Sequence, residues 1–289
     1  MSIIINTVRQ LKGIIMGIQF LVDSACDILP EEAAALGVTC IPMQISFGNE
    51  SFSDGITLSH GDFYKKLETS DTLPVTSQIN PALYEAYFAK LTANGDEVVV
   101  ITLSSGLSGT YQSALIAAEG FPSKVFVVDS LNATVGQRIL LQRGLALKED
   151  GLSAEQIANA LDEEKRNIRL FAVIDTLEYL KKGGRISAAV AFAGELLGIK
   201  PAIAVIDGKV EMVGKARGKQ VSSLLKQLIS DAGQIDRNRP VAAVYSATDA
   251  SLQNFFENCP EYKAPVYSLG CTIGTHIGPG AYGFAFFIK

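Results

Sequence analysis

The chain has no tryptophan, two histidines (His60 and His276) and four cysteines in 289 residues. Two histidines are too few for a multi-histidine metal centre, and no metal is expected. Cys26, Cys40, Cys259 and Cys271 form no C-x-x-C pair and no metal-ligand spacing. They read as reduced thiols in a cytosolic protein, not as a disulfide framework. Positive charge is scarce as well: 25 Lys+Arg against 30 Asp+Glu leave a formal net charge of −5, which argues against a nucleic-acid surface. No P-loop occurs, so a nucleotide-binding enzyme ranks low, and no G-x-S-x-G elbow occurs, which weakens a serine hydrolase. No internal repeat, low-complexity run or long linker is visible. The apolar stretch at residues 1–15 is interrupted by Arg9 and Lys12, is too short to cross a bilayer and lacks a cleavage site. It is expected to be a leader or extension outside the fold, and the start is open between Met1 and Met16.

What is present is a chain with 48% hydrophobic residues, enough for one large or two smaller cores. Val98–Leu103 is an apolar, β-branched run that reads as a buried strand, and Leu107–Glu119 reads as the helix after it. Ser104, Ser105 and Gly106 lie between them, with Ser108 and Thr110 close behind. Hydroxyls and free backbone N–H groups at such a turn make a site for an anionic oxygen. With no Lys or Arg in the segment, a carboxylate held by neutral donors fits better than a triphosphate.

The same alternation runs through the first half. Strands are expected at Ile18–Val22, Val38–Phe47 and Val125–Val128, with helices after Pro30 and over Asp62–Glu68, Ala82–Ala93 and Ser153–Arg166. Ser153 and Gln156 are spaced as a capping box. This predicts a mostly parallel sheet flanked by helices, with ligands at the strands' carboxyl ends. Asp23, Ser24, Ser104, Ser105, Asp129 and Ser130 all sit at such ends. After about residue 166 the texture changes. Ile199–Ile206 and Lys209–Gly214 flank Asp207-Gly208 as a hairpin. A short helix stops at Gly183-Gly184, another is expected at 188–197, Arg217–Ala232 reads as a long helix, and Ala281–Ile288 as a final buried strand. The expected architecture is therefore α/β, in two α/β domains. An N-terminal domain (16–166) has the mostly parallel sheet, a C-terminal domain (167–289) has a mixed or antiparallel sheet with helices, and a ligand lies between them.

Two further segments bear on chemistry. Leu73–Gln78 is a polar loop that reads equally as a cap before Pro81 or as hydroxyls aimed into a pocket. Cys271–Gly283 reads as a glycine-rich loop around His276, which is either a packed structural residue or, as a cation or a neutral N–H donor, completes a carboxylate or phosphate site. The basic clusters at Lys181–Arg185 and Lys215–Lys219 read as solvated helix-end charge or as a docking face.

In order along the chain stand D-S-A-C-D (Asp23–Asp27), T-S-Q (Thr76–Gln78), S-S-G-L-S-G-T-Y-Q-S-A (Ser104–Ala114), L-K-K-G-G-R-I (Leu180–Ile186), K-A-R-G-K (Lys215–Lys219) and the glycine-rich histidine segment. Together, over residues 16–289, they resemble the DegV family, the fatty-acid-binding subunits of bacterial fatty acid kinase. The resemblance implies two α/β domains with one long-chain fatty acid between them, and no cofactor. It implies a non-catalytic, cytoplasmic subunit. That subunit presents the carboxylate to a separate ATP-binding kinase subunit, for an acyl phosphate used in phospholipid synthesis. Transient contact with a membrane or an acyltransferase follows. The carboxylate ligands it implies are Thr76 or Ser77, Ser105 and His276, with Ser104, Gly106, Gly274 and Gly278 as pocket support; Arg185 and Arg217 are its docking residues. The chain departs from the family at Val75, where members often have a second threonine, and at Ile79, where they have proline. Chain-length preference is expected from pocket aromatics such as Phe192 and Phe284–Phe287, unless these are core. Two rival readings stand beside this one. One is a serine hydrolase using Ser105, His276 and either Asp23 or Asp129 on an acyl ester; the other is a lipid sensor without a kinase partner.

Overall fold

The computed structural model describes residues 17–186 and 198–289; the expected leader, Met16, the expected helix at 188–197 and Phe192 lie outside the described residues. Strands β1 (Ile18–Asp23), β2 (Val38–Ile41), β6 (Glu97–Thr102) and β7 (Val125–Asp129) form a parallel sheet in the order β2-β1-β6-β7. A parallel sheet is covered on both faces, which is why Val98–Ile101 is an unbroken apolar run with no exposure at all.

The expected strand Val38–Phe47 is two strands in two sheets. Pro42 has no N–H to donate and ends the pairing with β1. After it, β3 (Gln44–Phe47) joins β4 (Glu50–Ser53) and β5 (Val75–Ser77) in a small antiparallel sheet ordered β4-β3-β5. The polar segment around Thr76 is thus an edge strand rather than a loop. The cap before Pro81 is Asn80, whose side chain accepts from the Leu83 N–H.

The remaining strands are β8 (Ile168–Val173), β9 (Ile199–Ile206), β10 (Lys209–Arg217), β11 (Val241–Tyr245), β12 (Val266–Ser268) and β13 (Tyr282–Phe287). They form one mixed sheet, ordered β10-β9-β8-β13-β11-β12, parallel only between β11 and β12. Asp207 and Gly208, at φ 46° and 78°, make the β9–β10 turn as a primed hairpin turn requires. Arg217 ends β10, and the helix expected from it begins only at Gln220.

Helices follow the strands: α1 (Pro30–Ala35), α2 (His60–Thr69), α3 (Pro81–Thr92), α4 (Thr110–Ala118), α5 (Thr134–Glu149), α6 (Ala154–Glu164), α7 (Glu178–Lys182), α8 (Gln220–Asp231), α9 (Ala250–Asn258) and α10 (Cys271–Ile277). The capping box on α6 forms, with both Ser153 and Gln156 engaged. The two large sheets are joined by one core. Phe20, Val22, Val99 and Ile101 of the first pack with Leu170, Val244, Ala285 and Phe287 of the second, and Ile139, Leu140 and Leu141 of α5 lie in the same cluster. A helix between two sheets must be apolar nearly all round, and α5 buries ten of its residues. Phe284 and Phe286 pack on the other face of the mixed sheet, with Phe255 and Tyr262; they are core and do not line the site described below.

Gly144 of α5 lets that helix approach β1. A Cβ there would stand 2.8 Å from the Phe20 ring and 3.1 Å from Leu161. Gly144→Val is expected to lower stability by about 1–3 kcal/mol through overpacking, read as a lower urea midpoint with an unchanged m-value.

Candidate functional site

A cavity of about 240 Å³ lies between the carboxyl ends of the parallel strands, the edge strand β5 and one face of the mixed sheet. Its floor is apolar, with Leu103, Leu170, Ile203, Val205, Val244 and Leu269 among the lining residues. Its partly or fully exposed polar groups include Thr76, Gln78, Ser108, Arg185 and His276, and the buried Thr134, Ser246 and Thr272 also line it.

His276 is on a helix. Cys271–Ile277 is α10, and only Gly278-Pro279-Gly280 after it is a turn. Its Nε2 lies 2.9 Å from Thr76 Oγ1, and its Nδ1 is buried without a partner. Gly183 closes over that atom, since a Cβ there would fall 2.3 Å from Nδ1. Burial, and then the nearby Arg185 charge, push the imidazole down to about 4. It is therefore neutral at physiological pH, and of the two expected forms the cation is not the resting one.

Two buried carboxylates hold α10. Asp27 Oδ1 accepts from the Gly270 N–H at 2.8 Å. Asp54 accepts from the Cys271 and Thr272 N–H groups at 2.9 and 3.1 Å, from the Thr272 hydroxyl at 2.6 Å and from Ser24 Oγ at 3.0 Å. These are the orphan donors of a helix N-terminus, where negative charge is also favoured by the dipole. Asp23, four residues before Asp27, does the equivalent for the serine segment: it accepts from the Leu103 N–H at 2.7 Å and from Gln137 at 3.2 Å. The D-S-A-C-D motif is thus a clamp on two elements. The second clamp residue, Asp54, carries no sequence signal beyond an Asp-Gly pair that looks like any turn.

The serine segment differs from expectation. Helix α4 starts at Thr110, and residues 103–109 form a closed turn. Ser104 is buried; its hydroxyl donates to the Gly208 carbonyl at 2.7 Å and accepts from the Gly106 N–H, while its carbonyl accepts from the Leu107 and Ser108 N–H groups. Ser105 is exposed, and its N–H donates to Asp129 at 3.1 Å. The N–H groups expected to be free are therefore bonded within the turn or, for Ser104 and Ser105, to Asn132 and Asp129, and Ser108 rather than Ser105 lines the cavity. On β5 the strand period of two separates Thr76, which reaches His276, from the exposed Ser77.

The supporting glycines serve packing between elements. A Cβ at Gly106 would meet the Gly208 carbonyl, at Gly274 the Phe63 and Tyr64 rings, and at Gly278 the Tyr179 ring. Arg185 enters the cavity as the cation that the serine segment lacks; its Nε donates to the Leu107 carbonyl at 3.3 Å, and Nη1 donates to the Gly183 carbonyl. Arg217 stands exposed at the end of β10. The hydrolase triad is not assembled. Asp23 and Asp129 spend their oxygens on backbone and Gln137 groups, His276 bonds Thr76, and Ser105 is outside the cavity. A G-x-G-x-x-G string occurs at Gly278–Gly283, but it leads into β13 and not into a helix N-terminus, so it offers no pyrophosphate site.

The pattern of a family described as uncharacterised proteins of the DegV family matches residues 17–289. A DegV domain-containing protein of Deinococcus radiodurans is 32% identical over 276 residues, which is 93% of this chain and 98% of that one. Among solved structures, a fatty-acid-binding DegV family protein from Thermus thermophilus superposes with a TM-score of 0.86 at 30% identity, covering 95% of this chain and all of the other. A stearic-acid-binding protein from Eubacterium ventriosum superposes with a TM-score of 0.82 at 27% identity, covering 94% and 98%.

Two titrations check this geometry. Burial raises Asp27 from 3.8 to about 7, so the folded protein keeps a proton that the unfolded chain releases. The stability from this group is present below about pH 4 and is lost as pH rises through 7. Asp27→Asn is expected to flatten that fall, and the difference between wild type and variant changes by at most about 1.4 kcal/mol per pH unit, read from urea midpoints. Arg185→Gln removes a charge that lowers His276, so the imidazole titration followed by NMR moves up toward its ordinary value.

Proposed function

The chain belongs to the DegV family, and from that premise we propose that it binds one long-chain fatty acid and presents its carboxylate to a separate ATP-dependent kinase subunit. The observation that carries this reading is a mostly apolar cavity that the Thr76–His276 pair, Ser108 and Arg185 line as its part-exposed polar groups. The fatty-acid binding of the related Thermus protein supports it.

The acyl tail supplies most of the affinity. About 14 methylenes at roughly 0.8 kcal/mol each give on the order of 11 kcal/mol gross, and lost ligand freedom offsets several kcal/mol of that. The head group is oriented by Thr76, Ser108 and neutral His276, while Arg185 offsets the desolvation of the carboxylate. Of the two hydroxyls the T-S-Q segment offers, Thr76 is the ligand because it reaches His276. Ser108 takes the role expected of Ser105.

Residues 16–166 and 167–289 act as two α/β domains that close on the tail. The docking residues for the kinase are Arg217, at the end of β10, and Arg185, whose neighbour Ile186 bridges Val210 near the start of the same strand. The partner delivers the γ-phosphoryl group of ATP to a carboxylate oxygen, and ADP leaves. The acyl phosphate stays bound until it is exchanged at a membrane or passed to an acyltransferase, which places the protein in the cytoplasm.

Native mass spectrometry of the freshly purified protein, followed by lipid extraction, tests the carrier reading. A stoichiometric adduct of fatty-acid mass is the expected result; a bare chain that takes up no fatty acid on titration overturns it. With the kinase subunit added, His276→Ala is expected to abolish phosphorylation and keep most tail binding. Arg217→Ala is expected to lose turnover while keeping its lipid. Full turnover in either variant removes the role given to that residue.

A further inference from the structure

The mixed sheet is not closed beneath the cavity. Strands β8 and β9 pair only over Phe171–Val173 with Ala202–Ala204, although β8 begins at Ile168 and β9 continues to Ile206. The next partners in register, Leu170 with Val205 and Arg169 with Ile206, are not part of the ladder. A second cavity of about 410 Å³ fills the opening, and Leu170, Ala204 and Val205 line both cavities. These three residues are therefore the partition between the floor of the first cavity and the fissure.

Forgoing ladder bonds in the middle of a sheet is unfavourable unless the backbone groups find other partners. The fissure's apolar lining also includes Leu131, Phe171 and the exposed Ile206. Its rim carries Lys165, the exposed Arg166, Arg169 and Asp207, and two of the three cations are turned to other groups. The Lys165 ammonium pairs with Asp162 at 2.5 Å, and Arg169 Nη1 donates to the Arg166 and Ile168 carbonyls. What such side chains leave toward a gap is their methylene stems.

We propose that the fissure between β8 and β9 is the far port of the acyl site. Chains longer than the first cavity holds pass the Leu170–Val205 partition and seat their methyl ends between the two strands, so Val205 and Ile206 set the upper chain length. This rests on the fatty-acid reading above. Val205 is half-buried and Ile206 is exposed, so both positions tolerate substitution better than the core.

The test loads the delipidated full-length protein with an equimolar mixture of saturated fatty acids from dodecanoate to eicosanoate, and analyses the extracted lipid by mass spectrometry. Val205→Phe narrows the passage and is expected to shift the distribution to shorter chains, each displaced methylene lowering relative affinity roughly fourfold. Val205→Ala is expected to shift it to longer chains. Ile206→Trp lies only in the fissure and is expected to deplete the longest chains while leaving dodecanoate and tetradecanoate at wild-type occupancy. It keeps the test open if Val205→Phe does not fold. Wild-type distributions in both Ile206→Trp and Val205→Ala overturn the port. Wild-type protein that takes up no fatty acid at all overturns the carrier reading instead.

Discussion

The site depends on two buried carboxylates at the start of one short helix. Asp27 and Asp54 take the first backbone donors of α10 and so fix where His276 stands, about one and a half turns further on. A seven-residue helix has little stability of its own; its position here comes from acceptors more than two hundred residues earlier in the chain. Arg138 secures the other side of that anchor. Its guanidinium lies 3.6 Å above the Tyr267 ring, donates to the Asp27 carbonyl at 3.0 Å and pairs with Glu32. The cluster is deeply buried, and its charges are matched by hydrogen bonds rather than by solvent.

The same clamp explains how a neutral histidine comes to face a polar cavity mouth. Asp23 holds the serine segment through Leu103, Asp27 holds α10 through Gly270, and the Asp207-Gly208 turn presses on Ser104 and Gly106 from the mixed sheet. Three layers thus meet at the cavity. Gly183, lying on the imidazole, seals its Nδ1 from water, and the loss of hydration keeps the ring uncharged. A site assembled this way stays dry on its apolar side and offers hydroxyl, imidazole and guanidinium groups on the other.

Much of the fold was legible along the chain, because local signals and burial agreed. The unbroken run at Val98–Ile101, the capping box at Ser153 and the Asp-Gly hairpin each rest on a few neighbouring residues. The errors fall where a distant partner decides. Val38–Phe47 reads as one strand until Pro42 divides it between two sheets. Cys271–Gly283 reads as a loop because its helix is short and glycine-rich, and its stabilising caps are remote. The hydroxyls of the serine segment look free until Gly208 and Asp129 claim them.

The sequence by itself determined the strand and helix alternation, the scarcity of cations in the serine segment and the ordered motifs by which the family is known. These depend on side-chain period, backbone propensity and residue identity, all readable without a partner. Contacts between distant elements settle that Thr76 and not Ser77 meets His276, that Ser108 and not Ser105 lines the cavity, that Arg185 lines it too, and that the β8–β9 ladder stops at Phe171 and Ala204. Each of those is a question of which face, which register and which distant acceptor, and packing between layers answers it.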